Sequence, residues 1–280
     1  MKEISSIRPS PIAGSWYPGN KTVLHDTISQ YLEDADEPHL PGRVFGLIAP
    51  HAGYFYSGST AGYAYRCVRD ENFDICAVFS PLHDYQPFDF LTSAHKTYAT
   101  PLGEMAIAEK LVEDIDADLQ SRSDLFLQHI AYDREHSLEI QLPFLQVALK
   151  KPFELLPIMV RTHHPDTLHT AAESIARVLA GKRVLLVAST DLSHFYSLKE
   201  ANNFDQVMTS QFTNFDPQGV LEAESGQKGF ACGAGAVALT LWTAKLLGAR
   251  QVTLLHHTTS AEASGDASSV VGYAAAAITG

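Results

Sequence analysis

Six short stretches of this sequence are apolar almost without interruption, and they constrain the fold more than any other feature. They are VFGLIA (44–49), DICAVF (74–79), FELLPIMV (153–160), VLLVAST (184–190), QVTLLHH (251–257) and SVVGYAAAAI (269–278). A strand that is apolar on both sides has no face to offer water. Such strands belong inside a sheet covered by helices on both faces. The intervening chain supplies the helices. LGEMAIAEKLVEDIDADL (102–119) spaces Ile107, Leu111 and Ile115 four residues apart, and HPDTLHTAAESIARVLAG (164–181) ends on Gly181, a residue suited to a helix stop. EHSLEIQLPFLQVALK (135–150) is also helical in pattern, with Pro143 marking a kink or a boundary. Strand and helix alternating at these lengths predict one α/β domain over residues 1–280, three-layered (α/β/α) around a mostly buried central sheet. The one shift in composition is the acidic, turn-rich link LEDADEPHLPGR (32–43), between a first helix and the first strand.

The formal charge of −12 repels phosphate backbones and anionic lipid, so neither nucleic acid nor membrane is an expected partner. No run approaches the roughly 18 apolar residues needed to cross a bilayer. The opening residues lack the basic-then-apolar layout of a secretory signal. Three cysteines, Cys67, Cys76 and Cys232, contain no C-x-x-C pair, which argues against a disulfide framework. A reducing, cytoplasmic setting is the expectation.

In sheets of this kind, ligands gather beyond the carboxyl ends of the strands. The first strand runs directly into PHAGYFYSG, which puts His51 at its end. The second runs into SPLHDYQPF and brings His83, and the fourth runs into STDLSHF and brings Asp191 with His194. Three strands therefore carry an imidazole, one with an acid beside it, to the same edge. Each residue also has a plainer reading. A lone histidine after a strand is usually a loop donor or a cap, and Asp191 is a good helix cap. Glu135, His136 and Glu139 suit a helix N-terminus. Cys67 and Cys76 sit in apolar surroundings as core thiols. His256 and His257 alternate along a strand, so at most one can face a given site. The conjunction at the strand ends raises the functional reading above these.

The blocks APHAGYFYSG, TPLGE, EHSLEIQLPFL, STDLSH, GFACGAGA and DASSVVGYAAAAI together resemble the Memo-like family, which includes the proteins called AmmeMemoRadiSam system protein B. The resemblance runs from RPSPIAGSWYPG to the last strand. It implies a fold like that of the LigB-like class III extradiol dioxygenases. His51, His83 and Cys232 match the positions where the family places its metal. Asp191 and His194 match the acid and histidine facing that metal, the expected catalytic pair. Trp16 and Tyr54 match aromatics lining the mouth of the pocket. His136 and Glu139 are expected behind the ligands, orienting His51 or His83. Relatives often carry a second histidine where this chain has Asp84 after His83.

Two imidazoles and a thiolate would leave positions open for water, substrate or dioxygen. Ring-cleaving dioxygenases use two histidines and a carboxylate for ferrous iron; a soft thiolate in place of the carboxylate shifts affinity toward copper and zinc. It also sets an oxidisable ligand beside bound oxygen. The resemblance thus implies a mononuclear non-heme metal protein of redox or dioxygenase-like chemistry, with Fe(II) the expected metal and copper or zinc as alternatives. A zinc-dependent hydrolase and a peptide-binding, signalling-type module with a copper-binding or vestigial site are the competing readings. The family name further implies a link to a radical-SAM protein and an AMMECR-type protein. The substrate, a small molecule or peptide, is not specified by these residues.

Overall fold

The computed structural model describes residues 4–280. Its strands are β1 (Ile7–Arg8), β2 (Val44–Ala49), β3 (Ile75–Pro81), β4 (Phe90–Ser93), β5 (Thr97–Thr100), β6 (Gly103–Ala106), β7 (Leu127–Ile130), β8 (Glu154–Val160), β9 (Val184–Ser189), β10 (His194–Tyr196), β11 (Gln251–Thr259) and β12 (Val270–Thr279). Its helices are α1 (Lys21–Asp34), α2 (Tyr54–Arg66), α3 (Glu109–Arg122), α4 (Leu142–Ala148), α5 (Pro165–Leu179), α6 (Leu198–Thr213), α7 (Pro217–Ser225), α8 (Ala234–Leu246) and α9 (Ala261–Ser264).

Nine strands form the central sheet in the order β10-β12-β2-β9-β3-β8-β4-β7, with β11 paired to β12. The middle of it, β2-β9-β3-β8, is parallel. These are the strands whose sequences lack a polar face, and every residue of β3 is buried. Helix α2 packs on β2, β11 and β12 together with α1 and α4, while α8 packs across β2, β9, β3 and β8 with α5 outside it. The predicted α/β layering is therefore present.

Strand β9 lies between β2 and β3, although it follows both in sequence. The crossover from β2 through α2 to β3 must skip one position, which β9 later fills. The carboxyl ends of β2, β9 and β3 thus become neighbours where the chain reverses its direction of sheet building, the kind of switch point at which ligands gather in open α/β sheets.

Two local expectations change. The stretch 102–119 does not begin as a helix: Gly103, at φ 137°, turns β5 into β6, and helix α3 starts only at Glu109. Cross-strand pairing of Tyr98 with Met105, and a bridge from Ile107 to Leu155, outweigh the helical spacing there. In 135–150 the regular helix is only α4, with Pro143 in its first turn, preceded by a 3-10 turn over Glu139–Gln141. Proline marks a boundary there because its missing N–H costs nothing in a first turn.

Candidate metal centre

His51 follows β2 and is buried. Its ring is fixed by one hydroxyl. Ser189, the last residue of β9, donates its proton to the Ser137 carbonyl oxygen at 2.6 Å and accepts from Gln141 Nε2 at 2.8 Å. Its remaining lone pair faces His51 Nδ1 at 3.1 Å, so Nδ1 carries the ring proton and Nε2 is bare. Gln141 is held in turn by the Tyr65 hydroxyl and the Pro50 carbonyl. Burial, reinforced by the nearby His136 and His83, lowers the His51 pKa well below the usual value, so the ring is neutral at neutral pH.

His83 follows β3 and is held by Glu135. Both carboxylate oxygens lie on Nδ1, at 3.0 and 3.2 Å, and the same carboxylate accepts the backbone N–H of His83 at 2.6 Å and of Ser137 at 2.8 Å. Again Nδ1 carries a proton, and Nε2 is left for a ligand. The Glu135 hydrogen bond raises the pKa of His83 against the opposing effect of burial. Burial alone would raise Glu135, but the His83 bonds and the backbone N–H groups hold it well below the usual carboxylate range. His136 stacks on the His83 ring, 4.6 Å away, and meets the tilted Trp16 ring at 4.1 Å. Burial pushes its pKa down to about 4 despite the nearby Glu135.

His51, His83 and His136 each offer a ligand atom, and these atoms lie within 4.8 Å of one another. His51, buried and neutral with Nε2 bare, is a metal donor in its binding-ready form, because no proton has to be displaced, and His136 is neutral as well. The residues fit a metal ion on that ground.

Cys232 joins this group through His51, with Sγ 3.0 Å from His51 Nε2. Burial and the neighbouring Asp191 raise the thiol pKa, so the sulfur carries its proton and can donate it to the bare nitrogen. The sulfur also accepts the Asp191 N–H at 3.3 Å, and the Cys232 N–H returns to the Asp191 carbonyl at 3.2 Å. The small residues around Cys232 have a geometric cause. A Cβ on Gly233 would stand 2.3 Å from the Ser189 carbonyl oxygen, and one on Gly235 would stand 2.5 Å from that of Thr162. Only glycine lets the start of α8 press against the strand ends and bring the sulfur in.

The Asp191 carboxylate is buried beneath His51, accepting the N–H of His51 at 2.6 Å and of Ala52 at 3.3 Å. Burial lifts its pKa to about 7, against those two donors. His194 opens β10; its Nδ1 donates to the Leu192 carbonyl at 2.8 Å, leaving Nε2 free, and burial lowers its pKa. The adjacent Ser193 N–H is bound by Asp205, a fully buried carboxylate that also meets His257 Nε2 at 2.9 Å.

A family model described as "Memo-like protein" matches residues 8–277 of this chain. The chain belongs to the Memo-like family. Similar proteins include the "MEMO1 family protein" of Nitrosopumilus maritimus, 30% identical over 273 residues, covering 96% of this chain and 98% of that one. The corresponding protein of Methanosarcina barkeri is 31% identical over 271 residues, with 96% and 98% covered, and that of Pyrococcus abyssi is 28% identical over 288 residues, with the same shares covered.

Within this Memo-like chain, several expected roles move. Glu139 orients neither His51 nor His83. Its carboxylate is taken by Arg8 Nη1 at 2.6 Å, by the Tyr17 hydroxyl at 2.9 Å and by Ser10, which fastens the N-terminal segment. The carboxylate behind His83 is Glu135 instead. His136, expected behind the ligands, stands among the possible ligands themselves. Tyr54 is only 3% exposed and packs on Tyr17 and Phe144, with its hydroxyl on the Ile140 carbonyl; it lies in the core rather than at a mouth. Trp16 reaches the site through its stack on His136. Asp84 is exposed, and its carbonyl is held by Arg161. Neither His256, stacked on Tyr63, nor His257 joins the cluster. Ser189 and Gln141 escaped the sequence reading; a serine closing an apolar strand carries no spacing signal.

Proposed function

We propose that this chain is a mononuclear non-heme metal protein of redox, dioxygenase-like chemistry, with iron held by His51, His83 and Cys232. The observation that carries the reading is the pair of imidazoles whose Nδ1–H groups are committed to Ser189 and Glu135, which reserves their Nε2 atoms for a ligand. If Cys232 and His51 held a metal, the thiol proton now directed at His51 Nε2 would be lost and both atoms would serve as ligands. Ferrous iron in such a set supplies one-electron chemistry and dioxygen activation. Asp191 and His194 are the proton carriers: Asp191 ionises near neutral pH, and His194 keeps Nε2 free to take a proton from substrate and return it. The substrate is a small molecule or a peptide, and a radical-SAM protein and an AMMECR-type protein are the proposed functional companions.

The His51, His83 and His136 trio favours a second reading, since three imidazoles with an open position suit zinc-activated water in a hydrolase. Metal content of protein purified without oxygen separates the two. Near-stoichiometric iron that is lost in Cys232→Ser and retained in His136→Ala supports the thiolate site. Zinc retained in Cys232→Ser and lost in His136→Ala would replace it with the trio. Among the described residues, no helix is long and apolar enough to cross a membrane.

A further inference from the structure

The opposite edge of the sheet holds a cleft of about 1010 Å³ beneath the amino ends of β2 and β9. Five basic side chains line it: Arg43, Arg66, Arg69, Lys182 and Arg183. In a chain of net charge −12 with 20 lysines and arginines, a quarter of the basic residues thus meet in one hollow. Arg66 and Arg69 have carboxylate neighbours, Glu37 at 3.6 Å and Glu33 at 3.7 Å, and Arg66 also sits in the last turn of α2, where a cation answers the helix carbonyls. The other three are different. Among the described residues, Arg43, Lys182 and Arg183 have no carboxylate within ion-pairing distance.

Their placement is set by the sheet. Strands β2 and β9 run parallel with Gly46 opposite Leu186. Arg43 immediately precedes β2, and Arg183, with Lys182 before it, immediately precedes the neighbouring β9, so the three cations gather at one edge of the sheet. Like charges gathered at one edge repel. The protein relieves this only partly, by resting the Arg43 guanidinium 4.1 Å over the Phe45 ring and by letting Arg183 Nη2 donate to the Asn72 carbonyl at 2.8 Å. Two further features describe what would complete the cleft. The Asn72 side-chain oxygen is buried and, among the described residues, has no hydrogen-bond partner; it lacks a donor. Leu40, Phe73, Leu179 and Leu247 supply apolar wall.

We propose that this cleft is a second ligand site, separate from the metal centre, and that it binds a phosphorylated small molecule of nucleotide type. Its phosphates bridge Arg43, Lys182 and Arg183, its apolar body lies on the leucine and phenylalanine wall, and a hydroxyl or amino group donates to Asn72. The acids Glu37, Asp70 and Glu71 at the cleft oppose an anion and set an upper bound on its charge.

Calorimetric titration of ADP and of pyrophosphate into the full, EDTA-treated chain tests this, since no metal then remains to bridge the phosphates. ADP should bind saturably, and more tightly than pyrophosphate. Affinity should fall by at least about tenfold in Arg43→Gln/Arg183→Gln, given the size of charge-assisted hydrogen bonds. A variant in the other direction, Glu37→Gln/Glu71→Gln, should bind ADP more tightly. Absence of saturable binding by either probe, or equal affinity in the arginine variant with an unchanged melting transition, overturns the proposal. Should the arginine variant fail to fold, the glutamate pair decides alone, and unchanged or weaker ADP binding there overturns it.

Discussion

At the carboxyl ends of β2, β9 and β3, His51 and His83 each have Nδ1 committed to a protein acceptor, which reserves Nε2 for a ligand. At the amino ends of β2 and β9, Arg43, Lys182 and Arg183 line one cleft, and among the described residues no carboxylate lies within ion-pairing distance of them. The first edge stores lone pairs in fixed directions and keeps His51 and His136 uncharged. The second stores net charge with little directional constraint. A site built on lone pairs discriminates by geometry over a few ångströms and responds weakly to salt. A site built on charge acts over the Debye length, about 8 Å at physiological ionic strength, and is screened by salt.

Substitutions should separate the two edges. The largest effect expected is His51→Ala, which removes a ligand and the partner of Cys232 together. Metal affinity should fall by about a hundredfold or more, with ADP binding at the far edge unchanged. Loss of both in calorimetry would mean that the edges are not independent. Glu135→Gln comes next. One amide oxygen cannot serve the three N–H groups that the carboxylate now accepts, so metal affinity should drop by about tenfold to a hundredfold. Retained affinity would remove Glu135 from the design of the site.

Protons sharpen the same contrast. The raised pKa of His83 means that its contribution to stability is full below the ordinary histidine value of 6.5 and is lost as pH rises through the raised value. The depressed pKa of Glu135 means that its contribution is present above the ordinary 4.5 and is lost as pH falls through the lowered value. In metal-free protein, the gap in melting temperature between native and Glu135→Gln should therefore be widest between 4.5 and 6.5. Metal affinity should run the other way, rising with pH as His83 gives up its Nε2 proton. A gap that grows steadily above pH 7 would contradict the pairing. Asp191 has the opposite sign from Glu135: with its pKa lifted to about 7, stability should fall as pH rises from 3.8 to that value, and Asp191→Asn should flatten the fall.

The smallest effects concern backbone. Phe195, at the metal edge, holds φ at 65° while its ring is 77% exposed; Gly181, at the cleft, holds φ at 75° with nothing within 4 Å of where a Cβ would be. Phe195→Gly should gain about 1 kcal/mol by relieving strain, and Gly181→Ala should lose about as much. Equal shifts in chemical denaturation for both would show that packing of the Phe195 ring compensates its backbone.

The sheet was legible because its inner strands are buried on both faces, a pattern that leaves little else for VFGLIA or VLLVAS to be. Strand β2 matches its sequence range residue for residue, and β9 ends one residue early. The short strands β4 to β7 were not legible. Each has four residues, and their pairing depends on partners such as Tyr98 and Met105 that carry no periodic signal of their own. In the site, His51, His83, Asp191 and His194 could be read because strand ends impose a location. Glu135 could not be told from Glu139, four residues on, because both sit in the same helical-looking segment. Which acid faces His83 and which faces Arg8 is decided by the 3-10 turn that begins at Glu139. Gly233 and Gly235 were visible as small residues, but the carbonyls they accommodate belong to other strands.

The position of β2 has a consequence for how the chain is made. Among the described residues its partners in the sheet are β9 and β12, both formed from sequence far downstream. During synthesis, Val44–Ala49 has nothing to pair with until Val184–Ser189 has left the ribosome, and Cys232 emerges later still. Such distant pairings make for slow, late assembly. The proposed thiolate site, which needs Ser189 to orient His51 and Cys232 to face it, is therefore complete only when most of the chain has been made.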